Sequence, residues 1–133
     1  MIGLVIATHA RLADELINAC EMIIGPVQNV RPVGIRAEDS VDEIRGNLNQ
    51  AVTAVGADGE GVIIMTDMFG GTPSNIGLAF LDPSKIEVLT GVNLPMVLKF
   101  FNSQEGLPLS ELAAILKAYG QQSISLASEF LQK

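Results

Sequence analysis

Apolar residues recur along this chain in two rhythms. Ile2-Gly3-Leu4-Val5-Ile6-Ala7 is a continuous apolar run, which suits a strand buried on both faces. From Leu12 the spacing becomes Leu12, Leu16, Ile17, Cys20, Ile23 and Ile24, the stripe of a helix that Gly25-Pro26 ends. Val30 to Ile35 is a second strand, and Pro32 within it predicts an edge position. Ser40 with Glu43 forms a capping box ahead of Val41, Ile44, Leu48, Ala51, Val52 and Val55. A glycine-rich turn, residues 56–61, leads into a third strand, Val62 to Thr66. After the loop Asp67 to Gly71, Thr72 and Pro73 read as N-cap and first residue of a helix reaching about Leu81, where Asp82-Pro83 breaks it. Lys85 to Thr90 predicts a fourth strand, residues 95–101 a short helix, and Ser110 caps a helix to about Tyr119, closed by Gly120. Ser123-Ile124-Ser125-Leu126 alternates with period 2 and reads as a short strand before a helical end at Phe130-Leu131.

Strand and helix thus alternate four times. The expected fold is α/β and doubly wound, with a mostly parallel sheet and helices on both faces, joined by right-handed crossovers. No linker or repeat divides the chain, so residues 1–133 are read as a single domain. With 48% hydrophobic and 17% charged residues the chain can fill a core, and a disordered chain is excluded. Eight basic against fifteen acidic residues leave a net charge of −7, which argues against nucleic acid or an anionic membrane surface as partner. One cysteine and one histidine rule out an internal disulfide and a multi-histidine zinc site, so no metal is expected. The first residues lack a basic signal-peptide start, and no apolar stretch approaches the ~18–20 residues of a spanning helix. A reduced, cytoplasmic protein is the simplest expectation.

In open α/β sheets ligands gather at the carboxyl ends of the strands, where strand order reverses. If the order is 2-1-3-4, strands one and three are neighbours, and His9 and Asp67 come within reach of each other. A carboxylate accepting the Nδ1–H of an imidazole leaves Nε2 with a lone pair, available as base, metal ligand or phosphoryl acceptor. Taken singly, His9 could merely end a strand and Asp67 merely open a loop; their joint placement is what points to chemistry. Gly70-Gly71-Thr72-Pro73-Ser74 adds a helix start with unpaired N–H groups, which favours an anion. Gly71, Thr72 and Ser74 are therefore the candidate phosphate-binding residues. There is no P-loop, no GxGxxG fingerprint and no GxSxG nucleophile elbow. Cys20, on the apolar stripe of the first helix, reads as a core residue.

LVIATHA at 4–10, CEMIIG at 20–25, TDMFGGTPSN at 66–75 and TGVNLPMV at 90–97 carry a family resemblance over nearly the whole chain. The sequence resembles the IIA component of the mannose-type (mannose/fructose/sorbose) branch of the bacterial phosphoenolpyruvate-dependent sugar phosphotransferase system. The resemblance implies that His9 accepts a phosphoryl group from the histidine-containing phosphocarrier protein and passes it to a IIB component. It implies that Asp67 orients the ring and that the Thr72 hydroxyl contacts the site. No cofactor is implied, and the membrane enters only through transporter components. It also implies a homodimer that exchanges a C-terminal antiparallel strand, a role Ser123 to Leu126 fits. Ala10 departs from the glycine common after the histidine in that family.

Docking would need an exposed His9 rimmed by apolar residues such as Met68, Phe69 and Leu94. The alternatives are a regulatory phosphohistidine module and a phosphocarrier subunit for dihydroxyacetone phosphorylation. The sugar is not encoded here, since the resemblance places sugar selection in the membrane components.

Overall fold

The apolar runs pair as four parallel strands: β1 (Gly3–His9), β2 (Val30–Ile35), β3 (Val62–Thr66) and β4 (Ile86–Thr90), in the order β2-β1-β3-β4. The computed structural model describes residues 1–68, 70–104 and 106–131. Around the sheet lie α1 (Leu12–Ile24), α2 (Val41–Val55), α3 (Thr72–Leu78), α4 (Leu94–Phe101), α5 (Leu109–Gln122) and α6 (Ala127–Leu131). The expected 2-1-3-4 sheet is present, and Pro32 lies on an edge strand, where a missing N–H costs no ladder bond.

Side-chain alternation along the two central strands divides the core. Leu4, Ile6, Ile63 and Met65 face α1, α4 and α5, packing with Cys20, Phe100, Leu112 and Leu116. Val5, Ala7 and Ile64 face α2 and α3, packing with Ile44, Leu48, Val52, Val55 and Ile76. Burying each such side chain contributes roughly 1.5–3 kcal/mol. Both faces of β1 and β3 are consumed by this packing, so only the strand ends remain for chemistry. Cys20 is fully buried, and burial first, then the charge of Glu21, pushes its thiol up to about 11. It stays protonated and packs as an apolar residue.

Ser40 caps α2 as expected: its Oγ accepts the Glu43 N–H at 3.1 Å and donates to Glu43 Oε1 at 3.1 Å, which thus takes the hydroxyl and not the backbone N–H of a full capping box. Four helix ends differ from the sequence expectation. α3 stops at Leu78 rather than Leu81, because the next N–H groups, from Ala79 to Leu81, turn to carbonyls three residues back. Its N-cap is Gly71 rather than Thr72, and no side chain caps it. α5 begins at Leu109 and runs through Gly120 to Gln122. Gly120 is therefore a contact and no terminator: a Cβ there would lie 2.7 Å from Met96 Cε. The Asn93 side chain explains the close approach, since it accepts the Met96 N–H at 3.0 Å and donates to the Gly120 carbonyl at 2.9 Å. It caps α4 and ties it to α5 at once.

Residues 123–126 form no strand in this chain. A strand needs a partner edge, and among the described residues none pairs with them. Ile124 and Leu126 instead stand exposed, as do Phe130 and Leu131. Among the described residues no helix is long and apolar enough to cross a membrane.

Candidate active site

β1 and β3 are hydrogen-bonded neighbours, with Ala7 level with Thr66, so the residues following each strand meet at one point. There Asp67 Oδ2 accepts two hydrogen bonds from His9: from the backbone N–H at 3.0 Å and from ring Nδ1 at 2.8 Å. The ring contact sets both the ring's orientation and its tautomer: because a carboxylate accepts, the neutral ring carries its proton on Nδ1 and Nε2 keeps its lone pair. The His9 side chain is 51% exposed and that of Asp67 14%, so the ring faces solvent while its partner is largely enclosed. Burial alone would raise the Asp67 carboxyl. The ring and backbone hydrogen bonds from His9, with the charge of that ring, outweigh it and hold the carboxyl below its usual range.

The corner after His9 is tightly built. Thr8 is fully buried, and its Oγ1 accepts the Ala13 N–H at 2.8 Å, satisfying an orphan donor at the start of α1. Ala10 sits at φ 51, the left-handed region in which alanine is disfavoured by roughly 1–2 kcal/mol. This explains why glycine suits that position. The strain is held by the Ala10 N–H donating to the Ile35 carbonyl at 2.8 Å. On the neighbouring strand, a Cβ at Gly34 would lie 2.4 Å from the Ala10 carbonyl oxygen. Gly34→Ala is thus expected to push the corner aside, destabilise the fold by about 1–3 kcal/mol, and displace His9. Thermal melting and the His9 ring resonances check both effects.

The two glycines of the loop serve different needs. Gly70 adopts φ 90, open to glycine at no cost. Gly71 has an ordinary extended conformation, but a Cβ there would lie 3.0 Å from His9 Cε1 and 3.5 Å from Nε2. Its backbone therefore flanks the Cε1–Nε2 edge of the ring. Thr72 is exposed and shares with His9 a cleft of about 560 Å³. Ser74 departs from expectation: it is fully buried, and its Oγ has no hydrogen-bond partner among the described residues. Thr66 Oγ1 and Asp67 Oδ1 are likewise buried without a partner. Of the expected rim, Met68 is 52% exposed, Phe69 lies outside the described residues, and Leu94 packs partly into the α1–α4–α5 core. Sequence reasoning missed the anchoring role of Thr8, whose hydrogen bond joins residues five apart across a turn that no motif marks.

An oriented imidazole with a free Nε2, flanked by glycine backbone and a threonine, can accept an electrophile that is presented from solvent. The sequence model of the family described as "PTS system fructose IIA component" matches residues 3–117. The fructose-specific EIIA component of Bacillus subtilis is 31% identical over 134 residues, covering 100% of this chain and 91% of that protein. The mannose-specific EIIAB component of Escherichia coli is 29% identical over 129 residues, and the match spans 92% of this chain but only 38% of that longer relative. The crystal structure of phosphotransferase system component EIIA from Streptococcus agalactiae is similar with a TM-score of 0.87 at 26% identity, covering 97% of this chain and 99% of that one. These names fall on the sugar side of the alternatives and do not favour the dihydroxyacetone or purely regulatory reading. With the strand-end histidine, its carboxylate and the glycine-flanked loop all inside the matched residues, the chain belongs to the fructose- and mannose-type IIA family of the sugar phosphotransferase system.

Proposed function

We propose that His9 is the phosphoryl acceptor of this IIA component, loaded by the histidine-containing phosphocarrier protein and unloaded to a IIB component. The observation that carries the proposal is the 2.8 Å contact between His9 Nδ1 and Asp67 Oδ2 beneath a half-exposed ring. In the transfer, a bond forms between Nε2 and phosphorus as the donor's phosphorus–nitrogen bond breaks, and the electron pair of the broken bond stays on the donor imidazole. The Nδ1 proton stays on the ring, where ionised Asp67 offsets the positive charge that develops. Such transfer requires chiefly positioning and charge stabilisation. In this reading Gly71, Thr72 and the Ser74 N–H meet the phosphoryl oxygens, supported by the Gly71 backbone beside Nε2 and by Thr72 in the same cleft as the ring. The protein would work in the cytoplasm and reach the membrane only through its acceptor.

The test is incubation with phosphoenolpyruvate, enzyme I and the phosphocarrier protein, followed by mass spectrometry of an alkaline digest. One phosphoryl group on the peptide bearing His9 is expected; no phosphate, or phosphate elsewhere, overturns the assignment.

We also propose a homodimer in which residues 123–126 of each copy pair with the β4 edge of the other. Exposed Ile124, Leu126, Phe130 and Leu131 support it, as does an edge strand whose Ile86 and Val88 are only half-buried. Removing residues 123–133 is expected to turn a dimer into a monomer in sedimentation equilibrium; an unchanged mass refutes the exchange.

A further inference from the structure

The cleft beside His9 has a second wall that the transfer chemistry above does not use. It is the loop from β2 to α2, which begins with Arg36. His9 is level with Ile35 in the strand register, so Arg36 leaves the sheet just beyond the row that holds the ring. Arg36 is the one lysine or arginine among the described residues that line this cleft, beside His9, Thr72 and the apolar side chains of Ile35, Val41 and Ile44. Arg11, although nearer in sequence, lines a different cleft with Asp14 and Glu21 on the α1 side.

We propose that the Arg36 guanidinium binds the phosphoryl oxygens of phosphorylated His9. The inference rests on the proposed phosphorylation of that residue and names a group that would hold its product. A phosphoryl group brings about −1.5 to −2 charge to a chain that already carries −7, next to ionised Asp67 and with Glu38 and Asp39 on the facing loop. A cation is needed there, and two local contacts ready this one. Asp39 Oδ2 accepts the Arg36 backbone N–H at 2.9 Å and the Asp39 N–H donates to the Arg36 carbonyl at 3.1 Å, so the loop is closed on itself and its base is fixed. The guanidinium head, by contrast, only approaches Glu38 at 4.0 Å, both side chains being about three-quarters exposed. An exposed pair at that distance contributes little and is readily exchanged. Arginine's planar fork matches phosphoryl oxygens two at a time, and the buried Ile35 and Ile44 side chains on one side of the cleft limit the water that competes for them.

The test uses phosphoramidate, a small phosphoryl donor that needs no protein docking, on the full chain and on Arg36→Ala and Arg36→Lys. Arg36→Ala is expected to take up phosphate on His9 about five-fold more slowly and to show a displaced phosphohistidine resonance in ³¹P spectra. Arg36→Lys should recover part of the rate. Thermal melting should be unchanged, because the side chain is exposed and its removal leaves the Asp39 backbone bonds in place. A wild-type rate and an unmoved resonance in Arg36→Ala overturn the inference while leaving His9 as acceptor. An effect seen only with the phosphocarrier protein as donor also overturns it, since Arg36 would then contact that protein. Failure of the unaltered chain to carry phosphate on His9 removes both proposals.

Discussion

His9→Ala is expected to leave a folded protein that takes up no phosphoryl group from phosphoenolpyruvate, enzyme I and the phosphocarrier protein. The loss should be complete because the chain has no second histidine that could substitute. The fold should survive for equally local reasons. The His9 side chain is half-exposed, and its contribution to stability is chiefly the one bond to Asp67. The second bond to that carboxylate comes from the backbone N–H and does not depend on the side chain. A net cost of about 1–3 kcal/mol follows, which thermal melting would register as a modest shift. Phosphate retained by the variant would mean that another group is the acceptor.

Asp67→Asn is expected to slow phosphoryl uptake by about ten- to a hundred-fold while the fold persists. An amide oxygen in the Oδ2 position can still accept from the His9 N–H and from Nδ1–H, so the productive tautomer is kept. What disappears is the negative charge that offsets the ring's developing positive charge. Hydrogen bonds to charged groups are worth about 1.5–3 kcal/mol, and each 1.4 kcal/mol is tenfold in rate. The variant's amide NH₂ would also occupy the buried Oδ1 position, which has no partner among the described residues. A second signature lies in pH. The Asp67 carboxyl is depressed in the folded chain, so its contribution to stability is present above the ordinary carboxylate pKa of about 3.9 and is lost as pH falls through the lower folded value. Asp67→Asn should remove that portion of the acid limb, leaving stability less steep below about pH 4. Uptake at the wild-type rate would show that the carboxylate only holds the loop.

How far these features were legible in the sequence differs by element. Strands β1 and β3 are buried on both faces and announce themselves as unbroken apolar runs. The Ser40 cap on the Glu43 N–H is local, four residues long, and forms as expected, although the reciprocal half of the capping box goes to the Ser40 hydroxyl. Gly120 was misread because a glycine that ends a helix and a glycine that admits a neighbouring methionine look alike in sequence. Only the packing of Met96 and the carbonyl bond to Asn93 distinguish them. Ser74 stands among the candidate phosphate-binding residues by its place in the loop sequence; as third residue of α3 its side chain is fully buried. The alternating tail also misled, because period 2 signals strand propensity, whereas a strand exists only when another edge supplies its hydrogen bonds.

The order of elements, the two-faced burial of the central strands and the choice of His9 and Asp67 are properties of residue type and spacing, and the sequence determines them unaided. Tertiary structure decided the rest: that one carboxylate oxygen takes both the ring and the backbone of His9, that a side chain at Gly71 would crowd the histidine ring, and that Arg36 comes to the histidine's cleft. Each of these joins residues that lie far apart along the chain, from 27 positions for His9 and Arg36 to 62 for His9 and Gly71. Their distance in space is set by strand register and helix packing, which no local pattern encodes.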